Sequence, residues 1–221
     1  MLPKFTKAQQ KISLLVLLIA IGATTYGIVE VSRAILFIIA LPGVFGYLFW
    51  HFTYLRRPTE PNIILPIFIL TLAGFDIHII EEYKGGYSLA ISRIFNFAWT
   101  DTAFFITICI LSAVLMLTCI GLYYKKEIAG FIAIMFIVTR FAEVALFIFP
   151  FIPPALQPNN PKNINTSVRG TFIADMPNYY YPAKHIFYFP GMFTVVLAIL
   201  PACIAMYKIW SSYKSGQTRL N

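Results

Sequence analysis

The sequence predicts an all-α fold, a polytopic bundle of transmembrane helices with six spans. Three observations predict it. Hydrophobic residues make up 59% of the 221 positions and charged residues only 12%, against roughly 45–50% and about 25% in soluble domains. The mean hydropathy is +0.75. Six apolar stretches each approach the roughly 20 residues that a helix needs to cross a bilayer. So little charge cannot cover a soluble globule of this size, which excludes an ordinary cytosolic enzyme, a disordered chain and a conventional nucleic-acid-binding domain. The net charge of +8 is instead the mark of Lys and Arg at the cytoplasmic ends of membrane helices.

The segments run about 12–29, 33–55, 62–82, 100–124, 128–150 and 185–210. The first follows a basic stretch, as a signal peptide would, but no small-residue cleavage site follows it, so it reads as a retained helix. A polar break at Glu30, Ser32 and Arg33 separates it from the second; five spans result if these two fuse or one lies in the interface. Pro58 and Pro61 flank the start of the third, where proline is tolerated, and Gly85-Gly86 follows its end. Pro150, Pro153 and Pro154 stop the fifth. Residues 151–183 are rich in Pro, Asn and Thr and form the one long loop of a single transmembrane domain spanning 1–221; loops of that length tend to be functional. Tyr179-Tyr180-Tyr181 in it suits an interfacial aromatic belt. Pro190-Gly191 close to the start of the sixth segment should kink or delay that helix.

With six spans, ten Lys and Arg fall on one side and six on the other. The positive-inside rule then puts both termini in the cytoplasm and the long loop outside. Cys109, Cys119 and Cys203 all lie within apolar runs with no metal-binding spacing, and read as small apolar residues.

Only nine acidic residues occur, and seven of them (Glu30, Asp76, Glu81, Glu82, Asp101, Glu143 and Asp175) fall on the non-cytoplasmic side or in the half-span nearest it. His78 and His185 do likewise, and His51 is the exception. Spans of alternating direction bring such residues to one depth. An ionisable group in a span costs at least roughly 2.5–3.5 kcal/mol, so it is paired, faces the interior and tends to be functional. For Glu30, Asp101 and Asp175 the plainer reading is helix ends touching headgroups.

The densest group is Asp76-Ile-His78-Ile-Ile-Glu81-Glu82-Tyr83. At about 100° per residue, His78, Glu81 and Glu82 share roughly a third of the helix circumference, while Asp76 lies about 200° from His78 and points elsewhere. Two adjacent carboxylates repel in low dielectric. Either a cation neutralises them, or one stays protonated and serves as an acid. Arg140 and Glu143, at i, i+3 on the fifth span, read either as an ion pair within one helix or as Glu143 joining the cluster while Arg140 pairs with a substrate anion or Asp76. His185 opens the sixth segment at the same level.

His78-x-x-Glu81-Glu82 at the end of a span resembles the signature of the HXXEE-motif membrane proteins, which are small, mostly bacterial, multi-span proteins of largely unassigned biochemical role. Tyr188-Phe189-Pro190-Gly191-x-x-Thr194 is similar to a Tyr-x-Pro-Gly-x-x-Thr stretch near the last span of that family. A further histidine is expected on the penultimate span, where this chain has Glu143. The resemblance implies a bacterial cytoplasmic (inner) membrane and supplies no substrate.

Three functions follow as expectations. In the first, His78, Glu81, Glu82, Glu143 and His185 bind a divalent metal (iron, manganese or zinc), which suits their mixture of imidazoles and carboxylates. The protein is then a metal-dependent membrane enzyme, an oxidoreductase or hydrolase, with His78, Glu81, Glu82 and Glu143 as catalytic residues. Its substrate would be a small hydrophobic lipidic or isoprenoid-like molecule at the non-cytoplasmic face. In the second, the same acids and imidazole carry out metal-free acid–base isomerisation or cyclisation of a lipid. In the third, the protein is a transporter or ligand-binding membrane protein; the confinement of polar groups to one level argues against a track across the bilayer. Partners are membrane lipid and that small hydrophobic substrate, with no nucleic acid. The chain has no GxSxG, P-loop, GxGxxG or HExxH motif.

Overall fold

The computed structural model describes residues 5–30, 39–88, 91, 99–148, 181–183, 186–188 and 191–218. Among them six helices form a bundle, with one short antiparallel hairpin beside it. The all-α class is as the sequence predicts.

Helix α1 (Lys7–Glu30) begins earlier than hydropathy alone implies. Thr6 and Gln9 cap it reciprocally: the Thr6 amide donates to Gln9 Oε1 at 3.0 Å and the Gln9 amide donates to Thr6 Oγ1 at 3.1 Å. Leu14, Leu15, Leu18, Ile19 and Ile21 on this helix stay exposed, the surface expected of a helix facing lipid. Helix α2 (Leu41–Phe52) is joined to α1 by Ser13 Oγ, which lies 2.8 Å from both Tyr47 Oη and His51 Nδ1. His51 thus serves an inter-helix contact between α1 and α2.

Helix α3 (Pro61–Gly85) has proline at its first position and stops at Gly86, whose φ of 76° accommodates the left-handed cap. Helix α4 (Asp101–Tyr123) is capped by Thr100 Oγ1, which accepts from the Ala103 amide at 3.1 Å, with Asp101 favourably placed in the first turn. A tight turn containing Lys125 at φ 54° leads into α5 (Glu127–Ile148). Strands β1 (Tyr181–Ala183) and β2 (Ile186–Tyr188) pair antiparallel, Tyr181 opposite Tyr188. Helix α6 (Val195–Thr218) follows a turn at 191–194. It starts ten residues later than the apolar segment does. Residues 186–188 are strand, and Gly191 takes φ 94°, so the Pro190-Gly191 step delays the helix as its chemistry predicts.

Four of these helices, α1, α3, α4 and α6, are long and apolar enough to cross a membrane. Helix α2 has 12 residues, about 18 Å of length, and residues 33–38 of the second expected span lie outside the described residues. Helix α5 has 22 residues and carries Glu127, Arg140 and Glu143. The long loop falls almost wholly outside the described residues.

The tightest helix pair is α3 with α6. Ala198, Ala202 and Ala205 form a fully buried stripe on α6. Gly74 of α3 meets the Leu197 backbone so closely that a Cβ there would collide with its carbonyl. Small residues let backbones approach where lipid supplies no hydrophobic drive between helices. Around this crossing, Trp50, Ile64, Phe68, Phe75, Leu115, Ile134 and Ile137 form the core that joins α2, α3, α4 and α5. Trp50 Nε1 donates to the Glu127 carbonyl at 2.9 Å and closes α2 onto the start of α5. The packing runs α3 and α5 alongside α6, so the last turns of α3, the second half of α5 and the first turn of α6 meet at one end of the bundle.

Candidate functional site

That end of the bundle collects the ionisable residues. His78 and Glu82 face inward from α3 at i, i+4, and both are buried, at 0% and 1% side-chain exposure. His78 Nε2 lies 3.2 Å from Glu82 Oε1 and 3.7 Å from Glu143 Oε2, the latter brought in by α5 with 12% of its side chain exposed. One donor atom from each of His78, Glu82 and Glu143 fits within 4.8 Å of the other two. Tetrahedral ligands at about 2.1 Å from an ion stand about 3.4 Å apart. The three donor atoms, within 4.8 Å of one another, are grouped closely enough that one ion could be held among them.

Arg140, one turn before Glu143, supplies the positive charge. Its Nη1 donates to Glu143 Oε2 at 2.5 Å, and its guanidinium lies over the rings of Phe75 at 4.3 Å and Phe136 at 5.0 Å. The two rings hold the cation in a low-dielectric slot by cation–π attraction. The ion pair within one helix is thus formed, and Glu143 also joins the cluster; the two sequence alternatives for Glu143 coexist. Arg140 does not pair with Asp76, which accepts a hydrogen bond from Ser112 Oγ of α4 at 2.9 Å. Asp76 points away from His78, as the helical phase requires.

Glu81 takes a separate part. Its Oε2 accepts from the Thr194 amide at 2.8 Å and from Thr194 Oγ1 at 2.6 Å. A carboxylate there ties α3 to the start of α6 and complements the positive end of that helix's dipole. Glu81 is therefore adjacent to the His78–Glu82–Glu143 group without belonging to it. Thr194 Oγ1 also lies 3.2 Å from His78 Nδ1. The ring hydrogen-bonds the backbone of Gly191 as well. Gly191 closes the site from above: a Cβ on it would stand 2.5 Å from His78 Cε1 and 2.8 Å from Glu82 Cγ.

Sequence reasoning gave Pro190-Gly191 a part in delaying the helix but gave Thr194 none, because Thr194 lies 113 positions from Glu81 and 116 from His78. The clue available was the pairing of a Pro-Gly step with Thr at the mouth of a span. His185 and Asp175 lie outside the described residues. Glu30 ends α1 at an exposed position, and Asp101 accepts from Ser88 Oγ, so neither enters the group.

The donor set suits a metal ion by its electrostatics. Glu81, Glu82 and Glu143 against Arg140 leave two uncancelled negative charges around a neutral imidazole if all three carboxylates ionise. Glu81 Oε1 and Glu82 Oε1 are both buried with no hydrogen-bond partner. Buried anionic oxygens in that state are costly unless a cation or protons join them.

No family model, no curated protein and no solved structure matches this chain. Fold and site together define its class: an all-α membrane-helix bundle with a buried His–Glu–Glu group at one end.

Proposed function

We propose that the protein is a metal-dependent integral membrane enzyme that acts on a lipidic or isoprenoid-like substrate, with His78, Glu82 and Glu143 holding one divalent ion. The observation that carries this reading is the convergence of their three donor atoms within 4.8 Å in a buried site. A dication cancels the two residual negative charges. One imidazole with two carboxylates is a borderline-to-hard set, appropriate to manganese, iron or zinc. Such an ion supplies either Lewis-acid activation of water or redox chemistry.

The chain's own residues do the rest. Arg140 holds Glu143 through one oxygen and fixes where its carboxylate sits. Glu81 and Thr194 fasten the first turn of α6 over the site. Phe193, on the turn beside Thr194, is an exposed apolar side chain next to the site. That exposed ring and the placement of the site among helices apolar enough to cross a membrane are the support for a lipid-like substrate. Six spans, cytoplasmic termini, a bacterial cytoplasmic membrane and kinship with the HXXEE-motif proteins complete the proposal; they rest on the charge asymmetry and on the two sequence stretches around His78 and Gly191.

Metal-free acid–base chemistry on the same substrate class is the second reading. The Arg140–Glu143 pair favours it, because the guanidinium already neutralises one of the carboxylates and a proton shared between His78 and Glu82 neutralises another.

Elemental mass spectrometry on detergent-purified protein tests the choice. About one manganese, iron or zinc per chain, lost in His78→Ala, is the expected result. A chain that stays metal-free after reconstitution with each ion overturns the metalloenzyme and leaves the acid–base reading.

A further inference from the structure

The hydrogen atoms around Thr194 can be assigned, and they fix the state of His78. Thr194 has one hydroxyl proton. It is directed to Glu81 Oε2 at 2.6 Å, the same oxygen that accepts the Thr194 amide at 2.8 Å. That oxygen already acts as an acceptor for the amide, so the hydroxyl donates to it as well. Oγ1 is then left with lone pairs toward His78 Nδ1 at 3.2 Å. That contact is a hydrogen bond only if Nδ1 carries the proton. The ring's hydrogen bonds run through Nδ1 rather than Nε2, so its bond to the Gly191 backbone also engages Nδ1 and favours the same protonated nitrogen.

We infer that Glu81 and Thr194 form a relay, Glu81 ← Thr194 ← His78, that holds His78 as its Nδ1–H tautomer and so presents the Nε2 lone pair to Glu82 and Glu143. Both are positioning residues: each acts through the imidazole. This deepens the metal-site reading, since ligating histidines are commonly oriented by a hydrogen bond from the second ring nitrogen. It also accounts for two adjacent carboxylates on one helix. Glu82 is a ligand, whereas Glu81, one residue earlier, faces the start of α6 and sets the tautomer. The turn that carries Thr194 is placed by Gly191, so the relay and the closure of the site come from one four-residue segment, 191–194.

The test separates the tautomer from the metal. Protein labelled with nitrogen-15 at histidine, reconstituted in lipid without metal, is examined by solid-state NMR at a pH where the ring is neutral. His51→Asn and His185→Asn variants isolate the His78 signals. The expected spectrum has a protonated Nδ1 and a non-protonated Nε2 in wild type, and a measurable rise in the Nε2-protonated form in Thr194→Val, where only the Gly191 backbone still holds the Nδ1 proton. Thr194→Ser restores the single form. With zinc or manganese added, Thr194→Val loses about 10–100-fold in affinity and Thr194→Ser recovers it. A wild-type His78 protonated on Nε2 overturns the inference, as does a Thr194→Val protein with wild-type tautomer and affinity. Should Thr194→Val fail to fold, Thr194→Ala takes its place in both measurements. A chain that shows the Nδ1–H tautomer and binds no metal sustains the relay and refutes the metal site.

Discussion

Gly191→Ala is the substitution that most sharply couples backbone geometry to the site. Gly191 has φ 94°, where an L-residue is strained, at a cost of roughly 1–2 kcal/mol. The added methyl meets two carbons at once, His78 Cε1 at 2.5 Å and Glu82 Cγ at 2.8 Å. Carbon atoms are comfortable at about 3.5 Å or more, so the imidazole must retreat by about 1 Å. Overpacking of this kind costs roughly 1–3 kcal/mol. The sum, roughly 2–5 kcal/mol, should appear in reversible unfolding in mixed micelles. The retreat also moves Nε2 away from the two carboxylates, so metal affinity should fall at least tenfold. Gly22→Ala is the control: on exposed α1, with nothing within 4 Å of the new Cβ, it should gain up to about 1 kcal/mol from helix propensity and leave metal binding intact. A Gly191→Ala protein with wild-type stability and wild-type affinity would refute the reasoning that this turn is seated on His78.

Further outcomes are expected elsewhere. Arg140→Met leaves Glu143 buried without its counter-ion and should cost about 3–5 kcal/mol; the double variant with Glu143→Gln should recover most of it, as a double-mutant cycle in micelles would read. Glu82→Gln should abolish metal stoichiometry while circular dichroism still shows the native helix content. Gly74→Ala should weaken the α3–α6 crossing by about 1–3 kcal/mol in the same unfolding assay. Ser13→Ala removes the shared partner of Tyr47 and His51, should cost about 1 kcal/mol, and should leave metal content unchanged.

Helix identity and most helix ends were legible because apolar length and breaker residues are local properties. Pro61 and Gly86 bound α3 by chemistry that needs no partner, and Thr100 does the same for α4. The inward pairing of His78 with Glu82 and the aim of Asp76 away from His78 followed from helical phase alone. The start of α6 was less legible from hydropathy, since residues 186–188 are apolar yet form a strand and Gly191 turns the chain before Val195. The division of labour between Glu81 and Glu82 was not legible at all. Phase puts both on one face, and only the packing of α6 decides that Thr194 meets the first of them. Arg140 and Glu143 showed their pairing through spacing, whereas the slot formed by Phe75 and Phe136 needed the third dimension.

The central claim is that His78, Glu82 and Glu143 hold one ion between α3 and α5. X-ray absorption fine structure at the metal edge of reconstituted protein tests it most directly. The account predicts a first shell of nitrogen and oxygen at about 2.0–2.2 Å, with the multiple-scattering pattern of a single imidazole that disappears in His78→Ala. A shell without imidazole, or one that is unchanged by that substitution, would contradict it.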